Sequence, residues 1–459
     1  MTSVHSHRNS KFIRVNYRFL VGLTLLSAYV HLFSYFYINN LYPRWGYFGF
    51  RLGNDNAESL LIGLTCVFLA YLTIHRRATA ASDYVLWLLF VLAFVPIQIT
   101  FGLSDSLKGR GHWYQISLLV SFSVSSLIAR LSARIRWTAA LKTRDRKSGT
   151  PEERSATFKK IFVCSSAFVV ALLVFRFSSI MSFAGIDEVY AQRAAASEFG
   201  IGLLFGYLIL WTTYLLSPLI FALGLVEGSK SLLLLAAVML ISIYMITAAK
   251  MVFVIIGLCL SIHVFNRFDL SRRMYLLFSI PVVPIIISLL VDFSGDNEIS
   301  SLASYIIDQI VIRGLSIQAM IFNLYVEFFS TNPLTYYSHV TGVSSILQYP
   351  YDLPVGRVIS VYQYGHPDAN ANSGIWATDG VAAAGPLGII VVGVLLGVFL
   401  GFVNRMTKNV GHEFLSIAMV PLAMLMVNVS MFTTLASGGG FLLVLLVRRL
   451  WNDISPKET

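Results

Sequence analysis

Charged side chains are scarce in this chain. Asp, Glu, Lys and Arg make up 12% of its 459 residues, while 56% are hydrophobic and the mean hydropathy is +0.71. A soluble globular domain carries about 25% charged residues, so a water-coated globule is excluded. Cysteine is scarcer still. Cys66, Cys164 and Cys259 each lie inside an apolar run with no metal-ligand spacing, which excludes a disulfide framework and a cysteine-based metal centre. No HExxH, no DxD and no carboxylate cluster occurs, so neither a metal nor a cofactor is expected. A fixed-period repeat and a low-complexity tract are also lacking, which removes solenoids and disordered scaffolds.

What the chain does have is apolar runs of bilayer length. An α-helix needs about 20 apolar residues to cross a membrane, and twelve candidate runs recur at 19–38, 59–74, 84–103, 113–131, 161–181, 200–226, 231–247, 251–265, 274–293, 386–404, 415–434 and 441–447. They predict an all-α, polytopic helical membrane protein of about twelve transmembrane helices, forming a single membrane domain over 1–459. A basic tail, 1–18, precedes the first run and holds Arg8, Lys11, Arg14 and Arg18. That run is too long for a cleaved secretory signal and no small-residue cleavage site follows it, which predicts a retained anchor.

Lys and Arg in short loops stay on the cytoplasmic side. Placing the N-terminus inside puts 25 of the 34 Lys and Arg inside and leaves nine outside, which predicts that both termini are cytoplasmic. A basic inner loop, 131–160, and the net charge of +11 then follow from topology and acidic headgroups. Membrane lipid rather than nucleic acid is the expected partner. Two outer segments stand out, a short one at 182–199 and a large one at 294–385. Long loops tend to carry function. The stretch "SSLASYIIDQIVIRGLSIQAMIFNLYVEFF" predicts one or two amphipathic helices at the outer membrane surface, followed by irregular chain rich in Tyr, Pro and Gly.

The nine outer cations are Arg44, Arg51, Lys108, Arg110, Arg176, Arg193, Lys250, Arg313 and Arg357. Arg176, in "LLVFRFSSI", falls within the outer half of the fifth run, where a guanidinium must snorkel or face a polar cavity. Lys250 lies between the seventh and eighth runs with no acid near it in sequence, either as a snorkelled turn lysine or as a cation aimed at phosphate. Arg193 has Asp187, Glu188 and Glu198 as local mates, Arg313 stands at helical spacing from Asp308, and Arg357 lies between Asp352 and Asp368. Taken singly each has a structural explanation. As a set on one face, they make a site for phosphate or pyrophosphate. The large loop adds groups that hold sugars, Tyr336, Tyr337, Tyr349, Tyr351, Tyr362, Tyr364, Trp376, Asn370 and Asn372, with an interfacial aromatic belt as the competing reading. Its proton-moving candidates are His339, His366, Asp368 and Asp379, with Glu327 and Asp308 behind them, although a lone loop histidine is more often an ordinary surface residue.

The stretch "NANSGIWATDGVAAAGPLGIIVVGVLLG", which closes the large loop, resembles the corresponding part of the O-antigen (oligosaccharide repeat unit) polymerases of the Wzy type. "DEVYAQRAAASEFG" is similar to the Tyr-and-Arg segment of their earlier outer loop, at Tyr190 and Arg193, and "TAAKMVFVIIGL" to their small-residue turn with a cation, at Lys250. The resemblance covers the architecture from about Ile161 onward; the first four spans share only general character, and neither Arg313 nor Arg357 shows that family's arginine–glycine spacing. It implies a GT-C-like glycosyltransferase of the bacterial inner membrane, working beside a polysaccharide chain-length regulator. The growing chain would pass from its undecaprenyl pyrophosphate to the non-reducing end of a new lipid-linked repeat unit on the periplasmic face. Arg193, Lys250, Arg313, Arg357 and Arg176 are then expected at the pyrophosphate, and Tyr190, Asn370, Asn372, Trp376 and Asp379 at the sugars. His366 or Asp368, with His339, is expected to take the acceptor proton. An O-antigen ligase, which passes finished glycan to lipid A core, fits the same outline. So does a lipid-linked oligosaccharide flippase or other transporter, although transporters concentrate ionisable groups near the midplane of two related halves, and here the midplane is almost free of charge.

Overall fold

A computed structural model of the protein describes residues 3–54, 56–104, 107, 111–134, 151–183, 192, 199–200, 202–293, 310–340, 342–367, 371 and 374–454. Among the described residues there is no strand. Eight helices are long and apolar enough to cross a membrane, against the twelve runs expected. Three shorter apolar helices, Ala57–Thr73, Met251–Phe265 and His412–Asn428, account for most of the difference.

The bundle is built around one enclosed helix. Helices α1 (Ser3–Phe36) and α2 (Ala57–Thr73) flank α3 (Ala81–Ser104), all of whose residues are buried. A helix that is apolar on every side needs cover on every side. Two of its polar groups cross-link it to neighbours: Ser82 N donates to Asn404 Oδ1 at 2.8 Å and Gln98 Nε2 donates to the Gln115 carbonyl at 3.0 Å. After it in the chain come α4 (His112–Arg134), α5 (Pro151–Phe177), α6 (Gly202–Glu227), α7 (Lys230–Thr247) and α8 (Met251–Phe265), then α9 (Leu270–Leu276) and α10 (Ser279–Phe293). The chain continues through α11 (Ile317–Phe329), α12 (Val355–Tyr364), α13 (Thr378–Met406), α14 (His412–Ala418), α15 (Val420–Asn428), α16 (Met431–Leu435) and α17 (Gly440–Ile454).

Two helices set the position of the candidate site. Along α13, Gly393, Gly397 and Gly401 recur every four residues and press on α4, where a Cβ at Gly397 would meet Ile128 Cβ at 2.8 Å and Ser125 Cα at 3.0 Å. Small residues allow this approach, and close backbone packing is what joins helices in lipid. Ser125 Oγ seals the contact by donating to the Gly393 carbonyl at 2.8 Å.

Polar cross-links sort the bundle into two ends. At the basal end Arg18 pairs with Asp269 at 3.9 Å, Lys159 with Glu227 at 2.6 Å, and Asn266 Nδ2 donates to Ser416 Oγ at 2.9 Å. Arg449, near the end of α17, lies over the Phe158 ring at this same end. At the distal end Tyr364 Oη donates to the Phe48 carbonyl and Trp211 Nε1 to the Ser437 carbonyl, both at 2.9 Å.

The large loop corrects one expectation. Its helix α11 is not at the surface: all 13 residues are buried. The reason lies in its three polar side chains, each bonded inward. Gln318 Nε2 donates to Asn428 Oδ1 at 2.9 Å, Asn323 Nδ2 to Ser104 Oγ at 3.1 Å, and Glu327 accepts from Arg51 at 2.8 Å. The amphipathic helix is α12, with Gly356, Ile359 and Ser360 buried and Arg357, Val361 and Tyr362 exposed.

Candidate functional site

The site begins at a break in α13. Ala384 (φ −153°, ψ 25°) and Gly385 (φ +57°, ψ −134°) interrupt the helix just before Pro386. Glycine reaches that left-handed conformation at no steric cost, and proline suits the first turn of the helix that continues. The stub so created folds close, and a Cβ at Gly380 would meet the Gly388 carbonyl carbon at 2.5 Å. Asp379 is on this stub.

A second segment docks on the broken end. Thr335 N and Tyr336 N donate to the carbonyls of Ala382 and Ala383 at 2.9 and 3.1 Å, satisfying acceptors that a helix end leaves open. Tyr336 and Tyr337 then both take left-handed backbone angles, φ +47° and +65°, a conformation that costs non-glycine residues about 1–3 kcal/mol each. The turn they make carries His339 to Asp379.

His339 Nε2 lies 3.2 Å from Asp379 Oδ1 and Nδ1 lies 2.7 Å from Thr335 Oγ1. Thr335 Oγ1 is also 3.1 Å from the Ala382 carbonyl, and Phe432 N donates to Asp379 Oδ2 at 3.3 Å. The side chains of His339 and Asp379 are 9% and 11% exposed. This arrangement accommodates a proton. With a neutral ring, Nε2–H donates to Asp379 and the Thr335 hydroxyl donates to Nδ1; with a charged ring, Nδ1–H donates to Thr335, which turns its hydrogen to the Ala382 carbonyl. The ring keeps both partners in either state, and the Ala382 carbonyl always accepts from Thr335 N. Tyr325 and Tyr337 flank the carboxylate. Burial pushes both phenols above their ordinary range, and the charge of Asp379 pushes them further, so both stay protonated hydroxyls. The Tyr337 ring stacks near His339 at 6.4 Å and its hydroxyl donates to the Gly388 carbonyl at 3.3 Å.

The other candidate residues are distributed as follows. Arg313 is half-buried in a π turn, Ile312–Ser316, and its carbonyl accepts from Gln318 at 2.8 Å. Gln318 also donates to Asn428 Oδ1, four residues before Phe432, whose N–H donates to Asp379. Lys250 is half-buried at the α7–α8 turn, where Ala248 has φ +49°. Close to that turn Gln192 donates to the carbonyls of Ile180 and Met245, each at 2.7 Å. Tyr190, Arg193, Asp368, Asn370 and Asn372 lie outside the described residues. Arg357 is exposed on α12 and makes no ion pair among the described residues; His366 is exposed just beyond, its ring 6.3 Å from that of Tyr364.

Arg176 and Trp376 are both packed against aromatic rings. The Arg176 guanidinium is enclosed by phenylalanines, 4.2 Å from the Phe199 centroid, 5.4 Å from Phe177 and 5.7 Å from Phe205, so cation–π attraction satisfies it at that depth. Trp376 offers no face to a sugar. It is fully buried near Phe122, and its backbone N–H donates to the Met426 carbonyl at 2.9 Å.

Sequence reading missed Thr335, Tyr325 and the Arg51–Glu327 pair. Thr335 alone carried a usable signal, its i, i+4 spacing from His339. No family model, curated protein or solved structure matches the chain.

Proposed function

We propose that this chain is a surface-polysaccharide polymerase of the O-antigen type, a membrane glycosyltransferase joining undecaprenyl-pyrophosphate-linked repeat units. The observation that carries the reading is the nearly buried His339–Asp379 pair, 3.2 Å apart. In this reading the eight long helices, the three shorter apolar ones and α17 form twelve spans of a GT-C-like bundle. The cation-rich basal end faces the cytoplasm, and the distal end faces the periplasm of a bacterial inner membrane.

The acceptor hydroxyl approaches the small exposed part of the His339–Asp379 pair. Its proton passes by way of the Thr335 hydroxyl, which gives its own hydrogen to His339 Nδ1, while Asp379 at Nε2 orients the ring and stabilises the charge formed. The acceptor oxygen bonds to the anomeric carbon of the donor glycan as the bond from that carbon to the pyrophosphate oxygen breaks. Undecaprenyl pyrophosphate departs with the electron pair. Arg313, with Lys250 and Arg193, offsets the negative charge that builds on it. His339 therefore replaces His366 and Asp368 as the favoured proton acceptor, because its ring lies 3.2 Å from the nearly buried Asp379 carboxylate.

Purified protein given one lipid-linked repeat unit should produce a ladder on a gel. His339→Ala and Asp379→Asn should each slow it by about 100-fold or more, with thermal unfolding unchanged. Ladders at the normal rate from both variants would remove the pair from the chemistry. Transfer of preformed glycan to lipid A core, with no ladder, would make the protein a ligase.

A further inference from the structure

The basal end holds a feature that glycan transfer does not use. Between α1 and α10 lies a mostly apolar trench of about 440 Å³, lined by Val21, Leu25, Ala28, Phe278, Val282 and Val283. Arg272 and Tyr275 line its basal mouth. Arg18, Arg76 and Asp269 all lie within electrostatic reach of the Tyr275 hydroxyl. Three guanidinium groups against one carboxylate leave a surplus of two positive charges there. Asp269 is shared, 3.1 Å from Arg272 Nε and 3.9 Å from Arg18. The two terminal nitrogens of Arg272 make no other bond among the described residues, and its side chain is 74% exposed.

Any lipid chain can fill an apolar trench in a bilayer, so the trench alone selects nothing. The mouth does select. Guanidinium groups give phosphate bidentate, permanently charged contacts, and basic pockets between transmembrane helices recur as sites for anionic headgroups. Arg272, Tyr275, Leu276, Ser279, Val282 and Val283 all line the feature. Their helical spacing makes one stripe running from headgroup level into the hydrocarbon. We infer that this trench binds an anionic phospholipid of the basal leaflet, its phosphate held by Arg272 and Arg18 and one acyl chain lying along Leu25, Ala28 and Val282. The inference is independent of polymer synthesis.

The test is native mass spectrometry of the full chain released from nanodiscs of equal phosphatidylglycerol and phosphatidylcholine. The wild-type protein should retain phosphatidylglycerol over phosphatidylcholine by about fivefold. Arg272→Gln should bring the ratio close to one, and Arg272→Lys should keep part of it. Val283→Trp, which fills the trench from its exposed side, should reduce total retained lipid while the thermal midpoint stays put. Inorganic phosphate should not displace the lipid, since it brings no chain. Equal retention of both lipids by the wild type, or a preference that survives both Arg272→Gln and Val283→Trp, would overturn the inference.

Discussion

The Thr335 hydroxyl has one hydrogen and two acceptors in reach, His339 Nδ1 and the Ala382 carbonyl. Thr335→Val removes that choice and leaves a protonated Nδ1 without a partner, a penalty of about 1–3 kcal/mol. Ladder growth should slow by about tenfold or more with folding intact, measured with purified protein. Tyr325 gives a second, pH-based prediction. Its buried phenol ionises only well above the ordinary value near 10, and burial raises Tyr349 to about 12. Below pH 10 folded and unfolded states both keep these protons. Above it the unfolded phenols ionise first, so stability is lost as pH rises. The thermal midpoint in detergent should fall above pH 10, and Tyr325→Phe should flatten that fall. At this scale the sequence showed the residue types but not the pairing. His339 and Asp379 are candidates by chemistry alone; their meeting depends on two left-handed tyrosines that nothing in "TYYSHV" announces.

Among the elements, α13 was legible and α11 was not. The glycine spacing in "GVLLGVFLG" states directly that another helix comes close, although not which one. Gly397→Leu should overpack the contact with Ser125 and Ile128, costing about 1–3 kcal/mol. A thermal midpoint lowered by several degrees, with loss of activity although no site residue has changed, would be the expected result. In α11 the polar residues read as a wet face because sequence spacing cannot tell water from a buried partner. Their partners, Arg51, Ser104 and Asn428, are far away in the chain. Arg176 was opaque for the same reason, since two of the rings enclosing it come from beyond residue 198.

For the molecule as a whole, composition was enough to reveal a helical membrane protein, because the scarcity of charge leaves no other solvent for so much apolar surface. The number of crossings was harder to read, since helices of 15 or 17 residues straddle the length limit. Orientation can be tested directly. In a Cys164→Ser background, with Cys66 and Cys259 buried, Ser345→Cys should react with a membrane-impermeant maleimide added to spheroplasts, and Lys408→Cys should react only after lysis. The reverse pattern would place the His–Asp pair in the cytosol and end the polymerase reading.

The burial of α11 bears on how the loop would tolerate being cut. Its middle is rooted in the bundle, and α12 is tied to the same place, through Gln363 to Arg51, Tyr364 to Phe48 and Tyr362 against Phe328. The exposed link around Ile346 and Leu347 therefore joins two pieces already held together through Arg51. A protease nick there should leave both fragments co-purifying, and two co-expressed half-chains divided at that point should reassemble into one working particle.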